Sequence, residues 1–153
     1  MSTAVRYEVR RAGTPQELDE ALKLRYDVFC VEQGVPEREE LDGRDHEGIH
    51  LVAVATDEGA EDGEILGTCR LVMVGRTVQF SRLAVRISAR RQGIATALLE
   101  AADAETRAAG GRRLVLHAQT YARPLYEQAG YLPRGNVFRE AGIEHVAMEK
   151  ELS

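Results

Sequence analysis

The chain has 153 residues, 44% of them hydrophobic and 29% charged, with a formal net charge of −5. That length can bury a real core, and residues 1–153 read as one domain. The acidic balance argues against non-specific nucleic-acid binding, and no stretch approaches the ~18 apolar residues of a membrane span. The first residues, Met1 to Tyr7, lack the apolar segment of a signal peptide, which predicts a cytoplasmic protein with no membrane partner. Cys30 and Cys69 lie in apolar sequence and are expected to be small buried hydrophobes rather than disulfide partners.

In chain order, Tyr7-Glu8-Val9-Arg10 alternates and reads as an opening strand. Thr14-Pro15-Gln16-Glu17 is a capping box with proline at the first helical position. Leu18, Ala21, Leu22, Val28 and Phe29 then fall on one helical face. Gly34-Val35-Pro36 breaks the helix before a short turn. Strands follow at Ile49–Thr56, Ile65–Val74 and Thr77–Val85, joined by a polar loop over Asp57–Gly63 and a tight turn at Gly75-Arg76. A long helix covers about Gln92–Ala109. After Gly110-Gly111 come a strand at Arg112–Ala118, a helix at about Ala122–Ala129, and strands at Tyr131–Phe138 and Ile143–Glu149. Periodicity alone supports a mixed α/β or α+β domain.

The segment Leu83-Ala84-Val85 to Arg90-Arg91-Gln92-Gly93-Ile94-Ala95 is a strand feeding a basic, glycine-bearing turn that opens a helix. The first N–H groups of a helix have no internal partner, and its dipole places partial positive charge there, so an anion such as pyrophosphate is favoured. The triple-glycine dinucleotide fingerprint and the Gly-Lys-Ser/Thr of a P-loop are both absent. No Gly-x-Ser-x-Gly elbow is present. His46, His50, His117 and His145 form no metal-ligand spacing with the cysteines, so no metal is expected.

Arg90-x-x-Gly93-x-Ala95 resembles the pyrophosphate loop of the GNAT acetyltransferases, whose guest is acetyl-coenzyme A (acetyl-CoA). Gln119-Thr120-Tyr121-Ala122-Arg123-Pro124-Leu125-Tyr126 through Gly130-Tyr131 is similar to their second signature. The N-terminal third, from Leu24 to His50, and the tail, from Phe138 to Met148, resemble the ElaA/YjcF-like branch. The resemblance implies the acyl-CoA N-acyltransferase fold, a central mixed sheet of six or seven strands with helices on both faces. It implies backbone contacts to the coenzyme from Leu83, Ala84 and Val85, and a pyrophosphate cradle of Arg90, Arg91, Gln92, Gly93, Ile94, Ala95 and Thr96. Gln119 would lie by the pantetheine arm. Tyr126 would be the general acid for the leaving thiolate.

The implied reaction is acetyl transfer from acetyl-CoA to a primary amine of a small molecule or peptide, by direct attack in a ternary complex. Alternatives are a catalytically silent acyl-CoA-binding or regulatory module and the use of a longer acyl chain. No glutamate precedes Leu83, where Gln79-Phe80-Ser81-Arg82 stands. The candidate bases are therefore Glu32, His117 and His50. Acid is concentrated between Glu32 and Glu47, which makes Glu32, Asp42 and Asp45 candidates for drawing in an amine. Arg82 is a candidate for an acceptor carboxylate. An exposed edge strand leaves room for a homodimer.

Overall fold

The computed structural model describes residues 5–56 and 63–153. The strands are β1 (Tyr7–Arg11), β2 (Ile49–Ala55), β3 (Ile65–Val74), β4 (Thr77–Val85), β5 (Arg113–Gln119), β6 (Leu132–Glu140) and β7 (Ile143–Glu151). They form one sheet in the order β1-β2-β3-β4-β5-β7-β6. Every neighbouring pair is antiparallel except β4–β5. The helices are α1 (Pro15–Arg25), α2 (Glu37–Glu40), α3 (Ile94–Ala108) and α4 (Arg123–Gln128). The expected loop at Asp57–Gly63 lies, Gly63 apart, outside the described residues. Among the described residues no helix is long and apolar enough to cross a membrane.

Strand alternation explains the two layers. Val52 and Val54 face α1, where Ala21, Leu24 and Val28 pack with Ile65 and Ala84. Leu51, Ala53 and Ala55 face the other way, into a larger core with Ile94, Leu98, Leu99 and Ala102 of α3 and Tyr126 of α4. Each fully buried aliphatic side chain contributes about 1.5–3 kcal/mol. Helices therefore cover both faces, and the sheet has seven strands.

The capping box forms with a variation. Thr14 Oγ1 accepts from the Glu17 N–H at 3.1 Å. The Glu17 carboxylate accepts from Gly13 N–H at 2.8 Å, one residue before the cap, and clamps Arg10 at 2.7 and 2.5 Å. The buried face of α1 is Ala21, Leu24 and Arg25, continued by Val28 just beyond it, while Leu18 and Leu22 are only half-buried. This corrects the expected stripe: an arginine occupies a position that spacing gives to the core. Beyond Arg25 the helix widens at Tyr26–Glu32, where Gln33 N–H donates five residues back to Val28 O.

Two features of β4 shape the site. It pairs with β5 only from Thr77↔Arg113 to Gln79↔Val115, and the two strands part beyond. Between Thr68↔Ala84 and Arg70↔Ser81, Cys69 opposes both Arg82 and Leu83, a bulge with Arg82 at φ +60°.

Candidate active site

A cleft of about 940 Å³ opens where β4 and β5 part. Phe80 to Val85 of β4 and the turn before α3 form one wall. His117 and Gln119 of β5 and His145 and Ala147 of β7 form the other, and Leu125 and Tyr126 of α4 close one end.

The turn is built for an anion. Gly93 stands at the N-cap of the 15-residue α3 with φ +83° and no side-chain cap. Residues with side chains rarely adopt that conformation. The N–H groups of Ile94, Ala95 and Thr96 have no acceptor inside the helix. A pyrophosphate fits this opening: a Cβ on Gly93 would meet only Tyr7 Oη, at 3.8 Å. Arg91 also has positive φ, +63°. The Gln92 side chain accepts from Val5 N–H at 2.9 Å and ties the turn to the start of the chain. The helix begins at Ile94, not Gln92, because Gly93 is left-handed.

On β4, Arg86 N–H donates to Leu66 O at 2.8 Å. By alternation Ala84 also faces β3, whereas Val85 turns its N–H and C=O to the open side. Arg90 Nε donates to Val85 O there, at 2.9 Å.

Tyr126 is buried at 8% exposure. Its ring meets Phe80 and Tyr131 edge-on, with centroids 6.4 and 6.0 Å apart. Burial pushes its hydroxyl above the ordinary tyrosine value, with Cys69 adding to the effect. The phenol thus stays protonated and has a proton to give. Gln119 Nε2 donates to Gln33 Oε1 at 2.8 Å, across the mouth of the cleft.

Beside the bulge lies a cluster of three arginines and three acids. Arg25, 1% exposed, donates to Glu40 Oε1 at 2.6 Å and to Asp45 Oδ1 at 2.7 Å. Arg70 forks onto Asp42 at 2.8 and 2.7 Å and reaches Asp45 at 2.9 Å. Arg82 donates to the Glu40 carbonyl at 3.0 Å and to Asp42 at 3.3 Å. The hydrogen bond from Arg70 holds Asp42 below the usual carboxylate range. For Asp45, burial opposes ionisation, but Arg25 and Arg70 overcome it and keep the carboxyl low.

The profile of the acetyltransferase (GNAT) domain family matches residues 10–152. The chain belongs to the GNAT acetyltransferase family. YjcF of Bacillus subtilis, an uncharacterised N-acetyltransferase, is 32% identical over 142 residues, covering 92% of this chain and 96% of the relative. The crystal structure of Escherichia coli ElaA superposes with a TM-score of 0.81 at 22% identity, covering 95% of this chain and 99% of ElaA. A Bacillus subtilis acetyltransferase in complex with CoA superposes at 0.72 and 17% identity, covering 97% of this chain and 100% of that one.

Within this GNAT fold, Leu83 to Val85, Arg90 to Thr96, Gln119, Tyr126 and His117 line or border one cleft. Four expectations about charge change. Glu32 and Arg90, expected in separate roles, bind each other at 2.6 and 2.7 Å. That hydrogen bond lowers the Glu32 carboxyl, which makes it a poor base. Asp42 and Asp45 offer no free charge to an amine, because Arg70 and Arg25 take it. Arg82 is committed to α2 carbonyls rather than held out to an acceptor. His50 Nε2 donates to the Asp45 carbonyl at 2.8 Å, so it too is occupied. Sequence reasoning missed Arg25, Arg70 and Glu40. The signal was present: Arg25 lies four residues after Ala21 and three before Val28, a charge on an apolar face.

Proposed function

We propose that this protein is an acetyl-CoA-dependent N-acetyltransferase, one GNAT domain over residues 1–153, acting on a primary amine of a small molecule or peptide by direct attack in a ternary complex. The observation that supports this most is the continuity of the cleft, from the uncapped start of α3, past the open edge of β4, to Tyr126. The CoA complex of a protein with the same fold supports the class of ligand.

On this reading the N–H groups of Ile94, Ala95 and Thr96 hold the pyrophosphate, with Arg91 adding charge. A backbone N–H of the Leu83–Val85 segment polarises the acetyl carbonyl and stabilises its developing negative charge. Gln119 orients the pantetheine arm. Tyr126 gives its proton to the departing sulfur. Acetyl-CoA supplies the activated acyl group, and the protein supplies position, dipoles and protons.

The test is titration calorimetry followed by a thiol-release assay over a panel of primary amines. Saturable acetyl-CoA binding, absent for ATP and weakened at least ~10-fold by Gly93→Glu, is expected. A residue other than glycine at φ +83° both strains the turn and fills the phosphate site. No binding of acetyl-CoA, or no thiol release with any amine, would overturn the reading.

A further inference from the structure

The carboxylates lining the cleft differ in how they are held. Glu40, Asp42 and Glu149 are each bound by an arginine, Glu149 by Arg134 at 2.6 Å. Glu39 is exposed on α2 with no imidazole bonded to it. Glu140 lies between two imidazoles. His117 Nδ1 is 3.3 Å from both of its oxygens, and His145 Nε2 is 3.8 Å from Oε2.

The sheet places these groups deliberately on one face. The registers Gln119↔His145↔Phe138 and His117↔Ala147↔Arg134 align them across β5, β7 and β6, with Glu140 at the hairpin end opposite Ile143. Leu116, Ala118, Val146 and Met148 alternate to the opposite face, into the core that holds Tyr126. The imidazoles and the buried phenol thus approach the split in the sheet from its two sides. Phe138 locks both rings, edge-on to His117 at 5.0 Å and stacked on His145 at 6.0 Å. His145 Nδ1–H is spent on the Ile143 carbonyl at 2.7 Å. A proton on His117 Nδ1 donated to Glu140 leaves Nε2 bare, the arrangement of a carboxylate-oriented base.

We propose that Glu140, His117 and His145 form the acceptor subsite, which takes an amine that is cationic in solution, with His117 as its base and Glu140 as the residue that positions His117. The inference rests on the transferase reading above. Glu140 attracts the ammonium. An N–H bond of the ammonium breaks and its proton passes to His117 Nε2, giving an imidazolium beside the Glu140 carboxylate. The neutral amine attacks the acetyl carbon as the carbon–sulfur bond breaks, and Tyr126 protonates the sulfur. The second amine proton leaves through solvent and restores the phenol. His117 is half-exposed, 54% for its side chain, and returns its proton to water.

The test compares wild type, His117→Gln, Glu140→Gln and Glu140→Asp with two probes, ethylamine and 2,2,2-trifluoroethylamine. Ethylamine is charged at pH 7 and trifluoroethylamine is largely neutral. Expected are unchanged acetyl-CoA affinity and a ~100-fold lower kcat/KM for ethylamine at pH 7 in His117→Gln and Glu140→Gln. Glu140→Asp recovers part of the rate. The deficit shrinks toward ~10-fold or less at pH 9.5, where solution supplies more neutral amine, and is small throughout with trifluoroethylamine. Equal losses with both probes, or no loss, would overturn the subsite. If wild type turns over trifluoroethylamine but not ethylamine, the cationic acceptor is wrong. If wild type turns over neither of these nor any amine of the panel above, the transferase reading itself fails.

Discussion

Glu32 and Arg90 meet in a two-point ion pair, Nη2–Oε1 at 2.6 Å and Nη1–Oε2 at 2.7 Å, although 58 residues separate them in the chain. The pair ties the wide turn after α1 to the turn that opens α3. Arg90 is held a third time by the Val85 carbonyl. Its charge is therefore balanced by Glu32 before any phosphate arrives.

Replacing Glu32 by Gln removes a negative charge beside the anion site and leaves one acceptor oxygen for the two arginine donors. Acetyl-CoA binding is expected to tighten ~3-fold at low salt, with the gain fading as salt rises. Turnover at saturating amine stays within ~3-fold, since the base proposed above is His117. Calorimetry at two salt concentrations checks the first point. Weaker binding, or a collapse of kcat, would refute the assignment.

Tyr126→Phe keeps the ring and its packing against Phe80 and Tyr131 but removes the proton. Coenzyme affinity should change less than ~3-fold while kcat falls ~100-fold. Burial raises the wild-type phenol above its ordinary value, so the wild-type rate should not decline from tyrosine ionisation up to about pH 10. Full turnover by the variant would show that Tyr126 is not the group that protonates the leaving sulfur.

Gly67 of β3 packs directly under the start of α3. A Cβ there would lie 2.8 Å from Ile94 Cγ2 and 3.2 Å from Leu98 Cδ1. Gly67→Val should cost about 2 kcal/mol by overpacking. Because Ile94 is the first residue of α3, the same change shifts the phosphate donors and weakens acetyl-CoA binding. Loss of stability by urea unfolding with unaltered coenzyme affinity would show that the helix start does not move with it.

Arg25→Ala takes from Glu40 its buried ion-pair partner and from Asp45 one of its two, Arg70 remaining. A loss of about 3–5 kcal/mol is expected. Arg44→Ala, which breaks an exposed pair with Glu47, should cost less than ~1 kcal/mol. Denaturant midpoints of the two variants decide whether the buried cluster is structural in this sense.

Glu17 titrates low, at about 2, chiefly through Arg10 and then through the Gly13 N–H. Its folded value lies below its unfolded value near 4.5, so its contribution is complete above about pH 4.5 and is lost as pH falls toward 2. Glu17→Gln should therefore cost about 1 kcal/mol at pH 7 and nothing near pH 2. A pH-independent difference in unfolding free energy would contradict this origin.

Much of the architecture was legible in the residues. The strand limits Ile65–Val74 and Thr77–Val85 match the structure because apolar runs bounded by Gly63 and Gly75 leave little choice of ends. A glycine-bearing turn opening a helix with unpaired N–H groups was also readable, although the left-handed backbone of Gly93 is seen only in the structure.

The pairing of charges was not legible. From Glu32 to Glu47 the chain shows a cluster of acids, and nothing local says that Arg25, Arg70, Arg82 and Arg90 will neutralise four of them. Those partners come from α1, β3, β4 and the turn before α3. Likewise, a lone His117 on a strand gains its meaning only when β6 folds back and sets Glu140 beside it. Local propensity and short motifs act over a few residues and determined the elements, their order and the anion turn. Electrostatic pairing depends on distance in space, so only the tertiary structure decided which carboxylates are spent on arginines and which one is set beside two imidazoles.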